Sequence, residues 1–342
     1  MRCLSWLISA ALLAVASPAS AGWRPLDVPN DKGWQHARTG LILMAKLGDF
    51  QRARLADNST SELDVAATYY NADKSATADI YLYRPGIVDL PMWFDRSHYA
   101  MGMNDHFKLG APFGSITRFA LPGSTVESGL RVVHFRSDKP TGATGLAMAP
   151  LGDWLVAIRL TADFADAPKL EAMLADLMTK IRWPADRAIA KPAVPIAACP
   201  SPLKYKHAKV IKPDLTQALL GAALSSTKGD VAKDAKPAPP PVYCRESTPS
   251  AEYTIYRPGD DEFTYVMAIG DAGVAAEVSP AITLTGGAAY SVVLDTASSS
   301  DSYPNFNALP EPKQVFAMLG SMSPMSSASR TGKDITIVAP SK

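Results

Sequence analysis

The sequence predicts an α+β protein of two domains, each a mainly antiparallel sheet with one or two packed helices. Three observations carry this expectation. Short runs of alternating apolar and polar residues recur along the chain, punctuated by Gly, Pro, Asn and Asp. Two nearly equal strands, "IYLYRPG" at 80–86 and "YTIYRPG" at 253–259, lie in two strand-rich halves that each carry a helix late in the order. Between the halves lies a Pro-rich, partly low-complexity stretch of the kind that links domains.

The chain starts with a leader. Arg2 gives a short positive region, Leu4 to Ala16 is apolar but short for a bilayer span, and Ala19-Ser20-Ala21 has the small-x-small form of a cleavage site. Residues 1–21 are therefore read as a signal peptide, and the mature protein is expected in the periplasm or outside the cell. Removing it takes away Cys3 and leaves Cys199 and Cys244, an even pair in an oxidising compartment. They are expected to form one disulfide, worth about 4 kcal/mol by the entropy of the loop it closes.

Residues 22–184 form the expected first domain. Thr39 to Leu55 reads as a short apolar run, a Gly break and a strand. Glu62 to Asn71 and Thr77 to Arg84 flank the polar turn Asn71 to Lys74 as a hairpin. Ile80 and Leu82 should face one way, with Arg84, and Tyr81 and Tyr83 the other. Pro85-Gly86 should stop the strand, with the Arg head in water at the rim. Met92 to Phe107 carries Phe94, His98, Met101 and Asp105 at helical spacing. Strands follow at 115–121, 129–137, 142–150 and 153–164. The last helix places Leu170, Met173, Leu174, Leu177, Met178 and Ile181 on one stripe, capped by Asp166 with Pro168 in its first turn.

Residues 185–250 read as a bridge with a short helix at 214–226 and the disulfide. Its charge from Arg187 to Lys236 is about +6, against about −5 from Arg245 to Lys342. The second domain, 251–342, should hold a meander through Val278 with an acidic turn at 259–262, strands at 281–286 and 288–296, a helix at 311–322 and a strand at 334–340.

The stretches "TGLIL", "LGDFQR", "TYYN", "IYLYRPG", "WFDR", "GDWLVAIRLT" and "IRWP" resemble a family of uncharacterised exported bacterial proteins, over about residues 34–184. The resemblance implies export and brings no activity. The element order is also similar to that of PsbP- and Mog1-like domains, which implies a binding or accessory role.

The 342 residues carry a net charge of +1, so the whole molecule is no electrostatic trap for nucleic acid. No GxSxG, GxGxxG or GxxxxGK[ST] motif occurs, and no cofactor is expected. The expected function is non-catalytic binding in the envelope. A hydrolase is the first alternative. It would use Ser201 in the SxxK pattern Ser201-Pro202-Leu203-Lys204, with Arg330-Thr331-Gly332, or carboxylates among Asp95, Asp105 and Asp153. A copper protein is the second: His98, Met101, Met103 and His106 offer imidazole and thioether, as do Met318, Met322 and Met325 for thioether alone, although Met also simply fills cores. Lys204, Lys206, Lys209 and Lys212, interleaved with Tyr205 and His207, suit an anionic envelope polymer, or else protect a solvated edge.

Overall fold

A computed structural model describes residues 22–227, 241–283, 287–330 and 334–338. The expected signal peptide 1–21, the core of the low-complexity run, and Thr331-Gly332 lie outside them.

In chain order the first body contains β1 (Arg24–Pro25), β2 (Trp34–Gln35), β3 (Ile42–Leu43), β4 (Lys46–Leu47), β5 (Phe50–Asp57), β6 (Asp64–Tyr70) and β7 (Ala76–Tyr83). Then come α1 (Leu90–Met103), β8 (Leu109–Pro112), β9 (Thr117–Phe119), β10 (Gly129–Arg136), β11 (Ala143–Leu151), β12 (Trp154–Ala162) and α2 (Ala167–Lys180). Two three-strand meanders, β5-β6-β7 and β10-β11-β12, join where β7 pairs antiparallel with β12. Edge strands complete ten strands, and β2 and β3 pair apart from them.

The second body contains α3 (Leu215–Thr227), β13 (Tyr243–Arg245), β14 (Tyr253–Pro258), β15 (Tyr265–Ile269), β16 (Val274–Pro280), β17 (Tyr290–Asp295), β18 (Ser299–Phe306), α4 (Pro312–Ser321), β19 (Ser326–Ser329) and β20 (Ile335–Ile337). Its eight strands pair in sequence order as one antiparallel meander. The architecture is α+β, with two sheet-rich bodies.

Strand alternation explains how the layers stack. Ile80 and Leu82 point into a core shared with Leu170, Leu174 and Leu177 of α2. Tyr81 and Tyr83 point the other way, into a core with Trp93 and Phe94 of α1. That second core also contains Tyr256, Val266, Ala268 and Ala275 of the second sheet. α1 thus lies between the sheets and is buried by both. Ile255, Tyr265, Met267 and Val278 face the opposite side, toward Val315 and Met318 of α4.

α1 runs from Leu90 to Met103 rather than from Met92 to Phe107. Asp89 caps it, accepting the Met92 amide at 2.8 Å, and Pro91 sits in the first turn. At Asn104 the backbone is extended, which leaves Asp105 and His106 beyond the helix. α2 follows expectation, with Asp166 accepting the Lys169 amide at 3.0 Å.

Other expectations change. Of the expected strand 281–286, residues 281–283 are loop with Ile282 exposed, and 284–286 lie outside the described residues. The serine-rich β18 and β19 are strands the pattern did not show. The stretch expected to bridge is divided between the bodies. The amide of Ala193 donates to the Glu127 carbonyl of the first body, whereas β13 pairs with β14 and α3 packs on β18, β19 and β20.

The two Tyr-Arg-Pro-Gly turns serve different ends. Pro85-Gly86 is inserted into the second body. The Gly86 amide donates to the Gly273 carbonyl at 2.7 Å, and a Cβ on Gly86 would lie 2.3 Å from the Asp295 carbonyl oxygen. Gly273 meets it with φ +91°, where a side chain would be strained and would strike Pro85. In the second copy Arg257 is not at a wet rim. It is 1% exposed and paired with buried Glu246 at 3.6 Å.

Candidate functional site

The groove that gathers the expected lysines is built by strand-like alternation in the segment after Cys199. Leu203 and Ala208 are buried and Tyr205 turns inward, its ring edge-on to Tyr265 at 5.8 Å. The alternate residues Lys204 and Lys206 therefore stand in solvent. Backbone bonds fix the segment: the Lys206 amide to the Leu309 carbonyl at 3.0 Å, and the Ile211 amide to the Asn305 carbonyl at 2.8 Å. Asn307 adds its side-chain oxygen to the Lys209 amide at 2.8 Å, and Gln314 bonds both backbone groups of Ala208. Lys209 and Lys212 are exposed farther along the same run.

The groove has a volume of about 420 Å³. Lys204, Lys206 and Ser201 form one wall, Glu262 and Phe263 another, and Tyr290, Ala308 and Leu309 lie along it. Phe263 is 57% exposed, held there by its backbone N–H donating to Asp261 Oδ1 at 2.7 Å within the acidic turn. The site offers two flexible cations opposite one carboxylate, with an accessible aromatic face. Behind the lysine wall, the Leu203 amide donates to Glu246, and three buried polar atoms have no hydrogen-bond partner: Tyr205 Oη, Glu246 Oε2 and Arg257 Nε. Burial and the nearby Glu246 charge raise the Tyr205 hydroxyl above the usual tyrosine range.

Cys199 and Cys244 are joined as expected, with Cα atoms 4.9 Å apart. The bond sits where Ala198 bridges Arg245, so it anchors the start of the lysine segment to the edge of the second sheet. Ser201 and Lys204 both line the groove, but on extended chain rather than the helical turn that holds an SxxK pair in contact.

The expected metal candidates are dispersed by the fold. Met101 is 1% exposed in the core between the sheets, while Met103 and His106 are exposed. Met318 and Met325 are buried and Met322 is at the surface. Among the described residues, no group of three or more His, Cys, Asp or Glu is placed to hold a metal ion. His98 instead meets His134 of β10, Nε2 to Nε2 at 2.7 Å. His134 Nδ1 is 3.0 Å from the Gly110 carbonyl, which only accepts, so that nitrogen carries a proton. The two Nε2 atoms share one hydrogen bond, so one ring donates and the other accepts. Burial, then His134 and Arg245, push His98 down to about 4.

Of the carboxylate candidates, Asp105 and Asp153 are exposed on loops and Asp95 is buried. Asp95 accepts Arg245 at 2.6 Å and the Tyr256 hydroxyl at 2.9 Å, tying α1 to β13 and β14. Its pKa is raised, because burial outweighs those partners. Arg96 donates to the carbonyls of Gly270, Ser250 and Ala251 at 2.6, 2.8 and 2.6 Å. Neighbours on α1 thus serve the junction between bodies.

Among the described residues no helix is long and apolar enough to cross a membrane. Compared with protein-family models, curated proteins and solved structures, the chain finds no match.

Proposed function

We propose that this chain is an exported, non-catalytic binding or accessory protein whose groove takes an anionic polymer of the cell envelope. The supporting observation is the arrangement at the groove: Lys204 and Lys206 project into it because Leu203 and Tyr205 anchor the opposite side, and Phe263 presents an open ring beside them. Two lysines give attraction without rigid bidentate geometry, which suits a repeating charged ligand more than a single substrate. The aromatic face contributes stacking area at small entropic cost. The paired cysteines fit an extracytoplasmic location.

The test measures binding of polygalacturonate, with neutral pullulan as control, at two salt concentrations. The wild type should bind the polyanion, more weakly at high salt. Lys204→Glu/Lys206→Glu should lower affinity at least tenfold, and Phe263→Ala a few-fold. Equal binding to both polymers, or no effect of the lysine reversals, would overturn the proposal.

A further inference from the structure

The two Tyr-Arg-Pro-Gly copies differ in what their arginine meets. Arg257 has a carboxylate partner in Glu246. Arg84 has none: among the described residues it is the one buried or half-buried arginine whose side chain makes neither a hydrogen bond nor an ion pair. Its backbone is nevertheless fixed just past β7, the amide donating to the Leu63 carbonyl at 3.0 Å. None of its guanidinium nitrogens is among the buried atoms that lack a partner, so all of them are open to solvent.

A second guanidinium reaches the same corner from the other body. Arg330, just past β19, donates from Nη1 to the carbonyl of Pro85, the residue after Arg84, at 2.5 Å, and to the Thr296 carbonyl at 3.3 Å. Its amide is held by the Ser298 carbonyl at 2.9 Å. Arg330 Nε and Nη2 have no partner among the described residues and are likewise open to solvent. Two like charges therefore share a half-buried junction. Burial first, and then the Arg84 charge, lower the pKa of Arg330, while Asp295 and Asp153 act in the opposite sense. Asp295 is 2% exposed and already accepts Ser300 at 2.5 Å. Asp153 is exposed in the β11–β12 turn and forms an ion pair with neither arginine.

We infer that Arg84 and Arg330 together bind a compact oxyanion, phosphate or a phosphate monoester, at the corner where the two bodies meet. Each guanidinium offers a planar fork of donors that matches two oxygens of such an anion. An oxyanion between them fills two open forks at once and relieves their mutual repulsion. Because one arginine comes from each body, the bound anion also ties the bodies together. The site shares no residue with the lysine groove and does not depend on it.

Isothermal titration of the full mature chain with inorganic phosphate, at an ionic strength fixed with sodium chloride, should give a dissociation constant on the order of 1 mM, within the affinity attainable by so small a ligand. Glycerol 3-phosphate is the second arm: tighter binding than phosphate assigns the site to an esterified phosphate, weaker binding to the free ion. Arg84→Gln removes no internal hydrogen bond, so the fold should persist by circular dichroism while phosphate binding weakens at least tenfold. Arg84→Lys keeps the charge without the fork and should lose a few-fold. Asp153→Asn removes the opposing charge and should tighten binding a few-fold. Phosphate should also slow limited proteolysis between the bodies of the wild type and not of Arg84→Gln. Lys204→Glu/Lys206→Glu should bind phosphate as the wild type does, so failure of the groove proposal and failure of this one are distinguishable. No saturable phosphate binding up to about 50 mM, or undiminished binding in folded Arg84→Gln, would overturn the inference.

Discussion

Lowering the pH from 7 to 4 should destabilise the wild type relative to His98→Gln by about 3 kcal/mol. The unfolded chain protonates His98 at its ordinary 6.5, whereas the native pocket holds it down to about 4. Burial is the main cause, and His134 and Arg245 add to it. Between those values the unfolded state binds the extra proton, so native stability falls as pH falls. Linkage gives about 2 kcal/mol lost by pH 5 and about 3 by pH 4. The glutamine keeps an N–H to face His134, so the variant tests the proton rather than the contact. At the other end of α1, Asp89 acts in the opposite sense. Burial raises it to about 6 from 3.8. Above pH 6 the native state holds an ionised carboxylate at a cost of about 3 kcal/mol, and most of that cost, about 2 kcal/mol, is relieved on reaching pH 4. The two groups nearly offset one another. The assay is urea unfolding at pH 7, 6, 5 and 4 for the wild type, His98→Gln and Asp89→Asn, which retains a capping side chain. His98→Gln should gain on the wild type as pH falls, and Asp89→Asn should lose on it. Differences independent of pH for both variants would refute the assignment of these buried charges.

Three further outcomes follow from the junction and the disulfide. Replacing both Cys199 and Cys244 by Ser should cost about 4 kcal/mol, since the bond closes a separation of 45 residues; an unchanged urea midpoint would show that the loop is constrained without it. Gly86→Ala should lower stability by at least about 2 kcal/mol, because its Cβ would overlap the Asp295 backbone rather than a movable side chain; a melting temperature within one or two degrees of wild type would mean the bodies separate easily. Arg96→Met should cost at least about 3 kcal/mol by stranding the Gly270, Ser250 and Ala251 carbonyls, and should speed limited proteolysis between the bodies; unaltered proteolysis would count against the junction.

What could be read in the sequence depended on whether a segment's fate was decided locally. β5, β6 and α2 bury one regular face against their own body, and their periods show it, while β7 and β10 to β12 bury the second face as well and read as strands from short apolar runs between turns. The start of α1 is also legible, in Asp89 and Pro91, three residues and one residue ahead of Met92. β18 was not legible. "SSDSYPNF" lacks apolar alternation because Ser300 and Ser302 face a close-packed region, beside a helix brought near by Gly221. Its strand state comes from pairing with β17 and β19. The lysine spacing did report a real alternation, although not the wall that Phe263, 57 residues onward, supplies.

Two arginines lie deeper than their residue type suggests. Arg96 and Arg257 are each 1% exposed or less, although a cation on a helix or at a strand end reads as solvated. Their burial is a consequence of stacking a second sheet on α1. Once Trp93 and Phe94 are covered from both sides, every polar group on that helix face must find a partner in the other body. Arg96 finds three carbonyls, and Asp95 finds Arg245 and Tyr256, all of them at least 150 residues away in sequence. Such partners leave no periodic trace. The same covering leaves His98 with one imidazole for company, and its suppressed proton affinity follows from the geometry that joins the two bodies rather than from any ligand set.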